Sequence, residues 1–286
     1  MRNFCDLHTH SSFSDGTRTP TQLIEEAQQL GLGAIALTDH NTIAGLNELL
    51  HAPLRSDLER IPGIELSTEF KGRELHIIGL YLPPQAYEPL TSFLDEATAR
   101  KEESNRLLAE KLNRAGYEID YDALRAEHRG NINRAVIAAE LLHRGYTTSI
   151  DKALRGVLSE QNGFYIPPKR ISSLDAIRLL SKLGAIPVLA HPFLSLTEPQ
   201  LRDFLPQAKV CGLVALETHY VLNTAKVTAQ SISIAREYDL LESGGSDYHG
   251  ENKPNIQLGV GLGTLRVPLF FVQKLHETAL KNKERL

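Results

Sequence analysis

The chain has 286 residues, of which 42% are hydrophobic and 23% are charged, a composition typical of folded globular proteins rather than disordered or fibrous ones. Its length suits a single α/β barrel with an insertion, or two smaller domains. A net charge of −4 and a pI near 6.3 argue against long duplex nucleic acid as a partner, because gripping it needs a broad basic surface. Binding of a small anionic substrate is compatible with this net charge.

The sequence shows no sign of a membrane segment. No apolar run approaches the roughly 18 residues that a membrane-spanning helix needs. Polar residues begin at Asp6, which leaves no room for a signal peptide, so we expect a cytoplasmic protein that binds no membrane. Cys5 and Cys211 lie in apolar runs that resemble strands, and we expect buried thiols rather than a disulfide.

Short apolar runs rich in β-forming residues predict seven strands, at 4–10, 34–38, 61–66, 75–81, 185–190, 213–218 and 240–246. A helix is predicted between the first two, because Thr19 can cap it, Pro20 can begin it, Gln22 can close a capping box and Gly31 can end it. A strand, a helix and a strand in succession form a parallel unit. The recurrence of this pattern predicts a parallel barrel or an open doubly wound sheet.

The pattern changes between residues 87 and 164. Four helical segments follow one another there, and glycines mark their ends: Gly116, Gly130, Gly145 and Gly163. We expect residues 87–164 to form a helical insertion, a substrate cap, on a barrel made of residues 1–86 and 165–286. Acidic and basic residues are mixed in this stretch, which favours a solvated surface over a nucleic-acid surface.

Polar side chains collect where the predicted strands end. Residues two apart in a strand share a face, so Asp6, His8 and His10 of "CDLHTH" lie on one side. The same spacing occurs at Asp247 and His249 of "GSDYHG", and again at Glu217 and His219 of "LETHY". Single candidates end or lie in four other strands: His40, Glu65, His76 and His191.

These positions point to a metal site. In a parallel barrel the carboxyl ends of all strands face one mouth. Imidazole and carboxylate are the ligands of Zn, Mn and Fe, and this many groups exceeds the four to six ligands of one ion, which favours two or three ions. Each group has a structural alternative, since a lone histidine can be a hydrogen-bonded core residue and Asp15 can build the Ser-Asp-Gly turn. Crowding unpartnered polar groups together would cost several kcal/mol, roughly, which favours the metal site.

Six stretches, taken in order, resemble the motifs of the polymerase and histidinol phosphatase (PHP) family of metal-dependent phosphoesterases: "DLHTHSSFSDG", "ALTDHNT", "PGIELS", "LHIIGLYL", "LAHP" and "GSDYHG". The resemblance implies a distorted, TIM-like (β/α)7 barrel with a trinuclear metal site. It implies nine ligands: His8, His10, Glu65 and Asp247 for one ion, His76, His191 and a shared Glu65 for the second, and Asp15, His40 and His249 for the third. Asp247 is also expected to be catalytic. The family suggests manganese, although Fe and Zn suit the same ligands.

The resemblance also suggests a substrate. Asp15 stands where histidinol phosphatases often carry histidine, and the helical insertion is similar to that of the branch that removes the 3′-phosphate from nucleoside 3′,5′-bisphosphates. Some relatives in that branch also trim short RNA from its 5′ end. The expected partner is thus a small phosphorylated substrate. A histidinol-phosphate-type phosphatase, a C–N hydrolase with a related barrel, and a non-catalytic metal-bound scaffold are the alternatives.

The expected reaction is attack on phosphorus by metal-bound hydroxide, with His219 or a metal-bound water as the general acid. Asp6 and Asp39 are candidates for orienting the histidines, and structural capping is the alternative. A second phosphate needs cations, and the candidates are Arg134 at the start of a helix and Lys169 and Arg170 in "IPPKR", unless these are ordinary surface charges. "GVGLG" at 259–263 is interpreted as a turn.

Overall fold

The computed structural model describes residues 3–55, 57–127, 132, 134–168 and 170–283. The chain divides into two compact units, one made of Met1–Thr91 and Ile171–Leu286 and the other of Ser92–Arg170. No helix in the described part of the chain is long and apolar enough to cross a membrane.

The strands form one eight-stranded sheet in the order β7-β6-β5-β4-β3-β2-β1-β8. Their bounds are β1 (Phe4–Asp6), β2 (Ala34–Leu37), β3 (Glu59–Phe70), β4 (Arg73–Leu80), β5 (Ile186–Leu189), β6 (Ala215–Tyr220), β7 (Leu241–Gly245) and β8 (Val267–Pro268). Each of the seven predicted strands is present. The two-residue β8 was not predicted, because so short a strand leaves no periodic signal.

Helices occupy most of the connections. Their bounds are α1 (Pro20–Gln29), α2 (Leu46–His51), α3 (Tyr87–Arg114), α4 (Tyr121–Glu127), α5 (Arg134–His143), α6 (Ile150–Arg155), α7 (Ser173–Lys182), α8 (Pro192–Ser195), α9 (Glu198–Val210), α10 (Ala225–Glu237) and α11 (Phe270–Lys283). The capping box of α1 forms as predicted, since Gln22 donates its backbone N–H to the Thr19 hydroxyl and Thr19 donates its own to the Gln22 side chain. Cys211 caps the end of α9 and does not lie in a strand, although both cysteines are free and buried.

The sheet curls into a distorted barrel, as predicted. The segment after β1 reaches β7, where Leu7 donates its N–H to the Gly244 carbonyl (3.1 Å) and Asp247 donates its N–H to the His8 carbonyl (2.9 Å). Inside the sheet, side chains such as Ala36 and Val188 pack against Phe271 and other apolar residues of α11. The sheet is therefore nearly closed around an apolar core.

One strand runs against the predicted parallel order. β4 is antiparallel to both β3 and β5. Lys71 and Gly72, with φ angles of +50° and +76°, form a two-residue turn between the paired Phe70 and Arg73, and such a turn produces a hairpin. Because β4 is reversed, His76 in its first half lies at the end of the barrel where the parallel strands finish. The expectation that His76 ends a parallel strand is wrong, but the reversal brings it to the same place.

The Ser92–Arg170 unit has an apolar core of its own. Leu108 and Leu112 of α3 pack there with Ile137 and Leu141 of α5. Gly116, Gly145 and Gly163 have positive φ and follow helical segments as predicted, whereas the predicted stop at Gly130 lies outside the described residues.

Candidate metal centre

Six imidazoles converge at one end of the barrel. His8 and His10 follow β1, and His76 lies in β4. The other three follow β2, β5 and β7, and they are His40, His191 and His249 in that order. The ring centroids of His10 and His249 are 4.2 Å apart, those of His10 and His40 are 4.5 Å apart, and those of His76 and His191 are 5.1 Å apart. The structure thus brings together every histidine that was predicted as a ligand. With Asp15, Glu65 and Asp247 they form what we call the metal centre.

Glu65 is the fully buried hub of the metal centre. Its two carboxylate oxygens lie between 2.9 and 3.3 Å from a nitrogen of five imidazoles: His8, His10, His40, His76 and His191. Burial by itself would raise the pKa of this carboxyl group, but the imidazoles, His8 foremost, hold it well below its usual range. Glu65 is therefore a buried negative charge that can be shared among several ligand groups.

Asp247 divides its two oxygens between two sets of neighbours. Oδ1 lies 3.2 Å from Nε2 of His10 and 3.4 Å from Nδ1 of His249, while Oδ2 accepts hydrogen bonds from the Tyr220 hydroxyl (2.9 Å) and the Lys253 ammonium (2.8 Å). Its φ of +53° is a left-handed conformation that few non-glycine residues adopt, and such strain concentrates at functional sites. Burial opposes ionisation, but His10 and the other cationic neighbours lower the pKa of Asp247.

Asp15 completes the centre from a tight loop. Its Oδ2 lies 3.2 Å from Nε2 of His249 and 3.9 Å from Nε2 of His40. The next residue, Gly16, packs so closely that a Cβ atom there would lie 2.3 Å from the backbone oxygen of His10. The Ser-Asp-Gly turn therefore has a structural role, and it also places the Asp15 carboxylate beside two imidazoles.

The donor set fits divalent metal ions. Four overlapping groups have ligand atoms close enough to hold an ion: His10, Asp15, His40 and His249; His8, His191 and Glu217; His8, His10 and Glu65; and His40, Glu65 and His76. Both ring nitrogens of His10 and Nδ1 of His40 are buried without a well-directed hydrogen bond, although carboxylate oxygens of Glu65 and Asp247 lie 3.2–3.3 Å from Nε2 of His10 and Nδ1 of His40. Buried polar atoms normally have a partner, and a cation would supply it. Burial lowers the pKa of His40 to about 4, which favours the neutral imidazole that binds a metal, whereas in His8 and His10 burial is outweighed by the surrounding carboxylates, which raise the pKa.

Residues 6–166, more than half of the chain, match the model of the PHP domain. The chain belongs to the PHP family. It is 31% identical over 245 residues to a 5′-3′ exoribonuclease of Haemophilus influenzae, a match that covers 85% of this chain and 89% of the relative. It is 32% identical over 254 residues to a phosphoribosyl 1,2-cyclic phosphate 1,2-diphosphodiesterase of Eggerthella lenta, covering 86% and 94%.

Two further similarities agree with this assignment. The PHP chain is 28% identical over 261 residues to a 3′,5′-nucleoside bisphosphate phosphatase of Chromobacterium violaceum, covering 89% of this chain and 90% of the relative. Its fold matches a structure described as a metal-dependent phosphoesterase from Bifidobacterium adolescentis, with a TM-score of 0.69, 29% identity and 96% of each chain covered. The protein is therefore a metal-dependent hydrolase of phosphoester bonds.

Glu217 contacts the metal centre but is absent from the predicted ligand set. It is buried in β6, its Oε1 lies 2.9 Å from Nδ1 of His8, and its Oε2 accepts the backbone N–H of His191 at 2.7 Å. One carboxylate thus fixes two predicted ligands, in the way that outer carboxylates orient metal-bound imidazoles. The two-residue spacing of Glu217 and His219 was the available signal, but His219 rather than Glu217 was predicted to be the functional residue of the pair.

His219 points elsewhere because β6 contains a bulge. The pairing with β7 shifts between Glu217 and His219, so the alternation of side chains breaks there and Tyr220 takes the direction that His219 was expected to have. The Nδ1 of His219 lies 2.9 Å from the Thr218 hydroxyl, and its ring packs on Phe271. The general-acid role of His219 stays a prediction, and these contacts give it no support.

Asp6 and Asp39 hold backbone in place rather than imidazoles. Asp6 accepts the backbone N–H groups of Ser246 (2.9 Å) and Gly259 (2.8 Å), which fastens the "GVGLG" turn beneath the end of β7. Asp39 accepts both the N–H and the hydroxyl of Ser11, each at 2.7 Å. Among the described hydrogen bonds of either carboxylate, none reaches a histidine ring, which favours the capping alternative.

The predicted phosphate-binding cations belong to the Ser92–Arg170 unit. Arg134 begins α5, its guanidinium lies 4.2 Å from the ring centroid of Tyr165, and it donates to the Leu158 carbonyl at 3.4 Å. Arg170 is exposed, and Lys169 lies outside the described residues. Their role in substrate binding stays a prediction.

Proposed function

We propose that this protein removes the 3′-phosphate from nucleoside 3′,5′-bisphosphates. The observation that carries the proposal is the metal centre itself, in which buried imidazoles and carboxylates converge and two of them, His10 and His40, have unpartnered nitrogens. Such a site is suited to phosphate ester hydrolysis, where the uncatalysed barrier is so high that enzymes lower it by up to about 20 kcal/mol or more. The similarity to a bisphosphate phosphatase supports the substrate.

We further propose that the centre holds three divalent ions, with manganese preferred. One would take His8, His10, Glu65 and Asp247, another His76, His191 and Glu65, and the third Asp15, His40 and His249. Together these groups exceed the ligands that one ion uses. When bound, such ions lower the pKa of a coordinated water from about 15.7 to about 7 and neutralise charge on the phosphoryl oxygens.

The protein's own contribution is to fix this arrangement before substrate arrives. Glu65 and Asp247 bring the negative charge that several cations need in a buried place. Glu217 holds His8 and the backbone of His191, and Tyr220 holds one oxygen of Asp247 so that the other faces the imidazoles. Preorganised ligands of this kind avoid the cost of rearrangement during the reaction.

A second candidate substrate is short RNA. The 31% identity to an exoribonuclease exceeds the 28% identity to the bisphosphate phosphatase. The two reactions are chemically close, because breaking the bond between the 3′ oxygen and phosphorus next to a 5′-phosphorylated nucleotide releases a nucleoside 5′-monophosphate in either case. We therefore propose 5′-3′ trimming of short RNA as a secondary activity of the same centre.

The proposal is tested with manganese-reconstituted enzyme and four substrates: adenosine 3′,5′-bisphosphate, short 5′-phosphorylated RNA, histidinol phosphate and a cyclic amide. We expect the highest kcat/KM for the bisphosphate, with adenosine 5′-monophosphate as the product. Comparable slow turnover of every phosphate ester would refute the nucleotide specificity. Rapid hydrolysis of histidinol phosphate alone would assign the protein to the histidinol phosphatases.

Arg134→Ala should impair bisphosphates selectively. The Arg134 guanidinium lies over the Tyr165 ring, a cation–π contact that restricts its movement, and a guanidinium can form two parallel hydrogen bonds to a 5′-phosphate. We expect kcat/KM for adenosine 3′,5′-bisphosphate to fall by about 10- to 100-fold, the range expected when a charge-assisted hydrogen bond is lost, while that for adenosine 3′-monophosphate changes little. Arg155→Ala, which removes an exposed arginine of the same unit, is the control. Equal losses on both nucleotides would count against a role of Arg134 in binding the 5′-phosphate.

A further inference from the structure

A lysine forms an ion pair with one of the acidic residues of the metal centre. The Lys253 ammonium lies 2.8 Å from Oδ2 of Asp247, on the side away from His10 and His249. Asp247 is 7% exposed and Lys253 is 38% exposed, so the ammonium stands between the buried centre and solvent. Among the described ion pairs, no other lysine or arginine is paired with a carboxylate of the centre or with Glu217.

This cation does not help to bind metal. A positive charge beside Asp247 competes for the carboxylate and repels divalent ions, since like charges a few ångströms apart destabilise each other. Orientation of the carboxylate does not require it either, because the neutral Tyr220 hydroxyl already binds the same oxygen at 2.9 Å. The ammonium already pairs with Asp247, but its side chain is 38% exposed and can also meet an anion from solvent, and the anion that a phosphoesterase binds is its substrate.

The loop that carries Lys253 is held rigidly against the loop that carries Asp15. Asn252 donates its side-chain amide to the Asp15 carbonyl at 2.8 Å, and Glu251 donates its backbone N–H to the Thr17 hydroxyl at 2.9 Å. The loop that carries Lys253 is thus tied to the same segment that supplies a predicted metal ligand, and the ammonium itself is held by Asp247. Preorganisation of this kind is a property of binding groups, because it lowers the cost of ordering them around a ligand.

We propose that Lys253 binds the substrate, with its ammonium contacting a non-bridging oxygen of the phosphoryl group that is hydrolysed, and that it favours phosphomonoesters over phosphodiesters. A monoester carries nearly two negative charges at neutral pH and a diester carries one, so the monoester gains more from an added cation. The inference rests on phosphoester hydrolysis at the metal centre and names the ester class that the centre prefers.

The test compares wild type with Lys253→Met, which keeps much of the side-chain length and removes the charge. Both are loaded with manganese and assayed on p-nitrophenyl phosphate and bis(p-nitrophenyl) phosphate. We expect kcat/KM for the monoester to fall by about 10- to 100-fold and that for the diester by less than about threefold, since the ammonium interacts more strongly with a doubly charged phosphoryl group than with a singly charged one. The Kd of inorganic phosphate, measured by titration calorimetry, should rise by about tenfold. Lys253→Arg should restore part of the monoester activity.

Tyr220→Phe is the matched control, because it removes the other hydrogen bond to Oδ2 of Asp247 without a change in charge. It should lower both activities by the same factor. If Lys253→Met also lowered both equally, with manganese lost from the protein, Lys253 would only position Asp247 and the inference would be overturned. An unchanged ratio of the two activities with full metal content would overturn it as well. Nucleotide specificity is tested by other substrates, so its failure would leave this ratio unchanged.

Discussion

Glu65→Gln should abolish turnover of every phosphoester and deplete the protein of metal. The carboxylate oxygens of Glu65 approach five imidazoles within 3.3 Å, and the residue is fully buried. Glutamine has nearly the same shape but no charge, so each ion that shares this group loses an anionic ligand. We expect kcat to fall by more than about 100-fold, beyond what the loss of an outer carboxylate costs. Activity and metal content by mass spectrometry are the measurements.

Glu217→Gln is the matched comparison, because Glu217 is also buried and also contacts His8. If its role is to orient His8 and His191, its loss should lower activity or metal affinity by about 10- to 100-fold, less than the loss of Glu65. Circular dichroism should show that both variants fold. Full metal content and near-wild-type turnover in folded Glu65→Gln would contradict the central position assigned to this residue.

Removing the metal should both inactivate and destabilise the enzyme. A single ion that binds only the folded state at about 100 times its Kd stabilises it by about 2.7 kcal/mol, which for a chain of this size corresponds to a Tm increase of at least roughly 4–5 °C. Dialysis against a chelator should therefore lower Tm by that amount and eliminate activity. Manganese, iron or zinc should restore both, and magnesium should do so poorly, since the centre is rich in imidazole nitrogens and magnesium prefers oxygen ligands.

The same thermal measurement has an internal control. A variant that lacks an anionic ligand, such as Glu65→Gln, should gain less from added manganese than the wild type. A chelated wild-type protein that kept its Tm and its activity would show that the site neither binds nor needs a divalent ion.

Much of the metal centre could be predicted because its residues occur in short motifs, each of which is recognisable from a few neighbouring positions. The period of two in the predicted strand 4–10 paired His8 with His10, although the observed β1 ends at Asp6 and both histidines follow it, and the apolar strands of a barrel make polar residues at their ends conspicuous. The same rule suggested Asp247 and His249. In each case a few neighbouring residues contain the whole signal, and the structure brings these side chains together.

Other features depend on partners far away in the sequence. The bulge in β6 is a mismatch with β7, so nothing within "LETHY" reveals that Glu217 and Tyr220 face the centre while His219 turns away. The reversal of β4 follows from the Lys71-Gly72 turn, whose positive φ angles were not inferred from the sequence. Lys253 gave no signal, because a single lysine in a loop becomes meaningful only once its contact with Asp247 is known.

The most direct test of the account is anomalous diffraction from crystals grown with excess manganese, recorded near the manganese absorption edge. We predict three anomalous peaks, each surrounded by one of the proposed ligand sets, with Glu65 shared between two of them. Crystals in which the imidazoles surround no anomalous peak, or in which manganese binds elsewhere on the protein, would contradict the account.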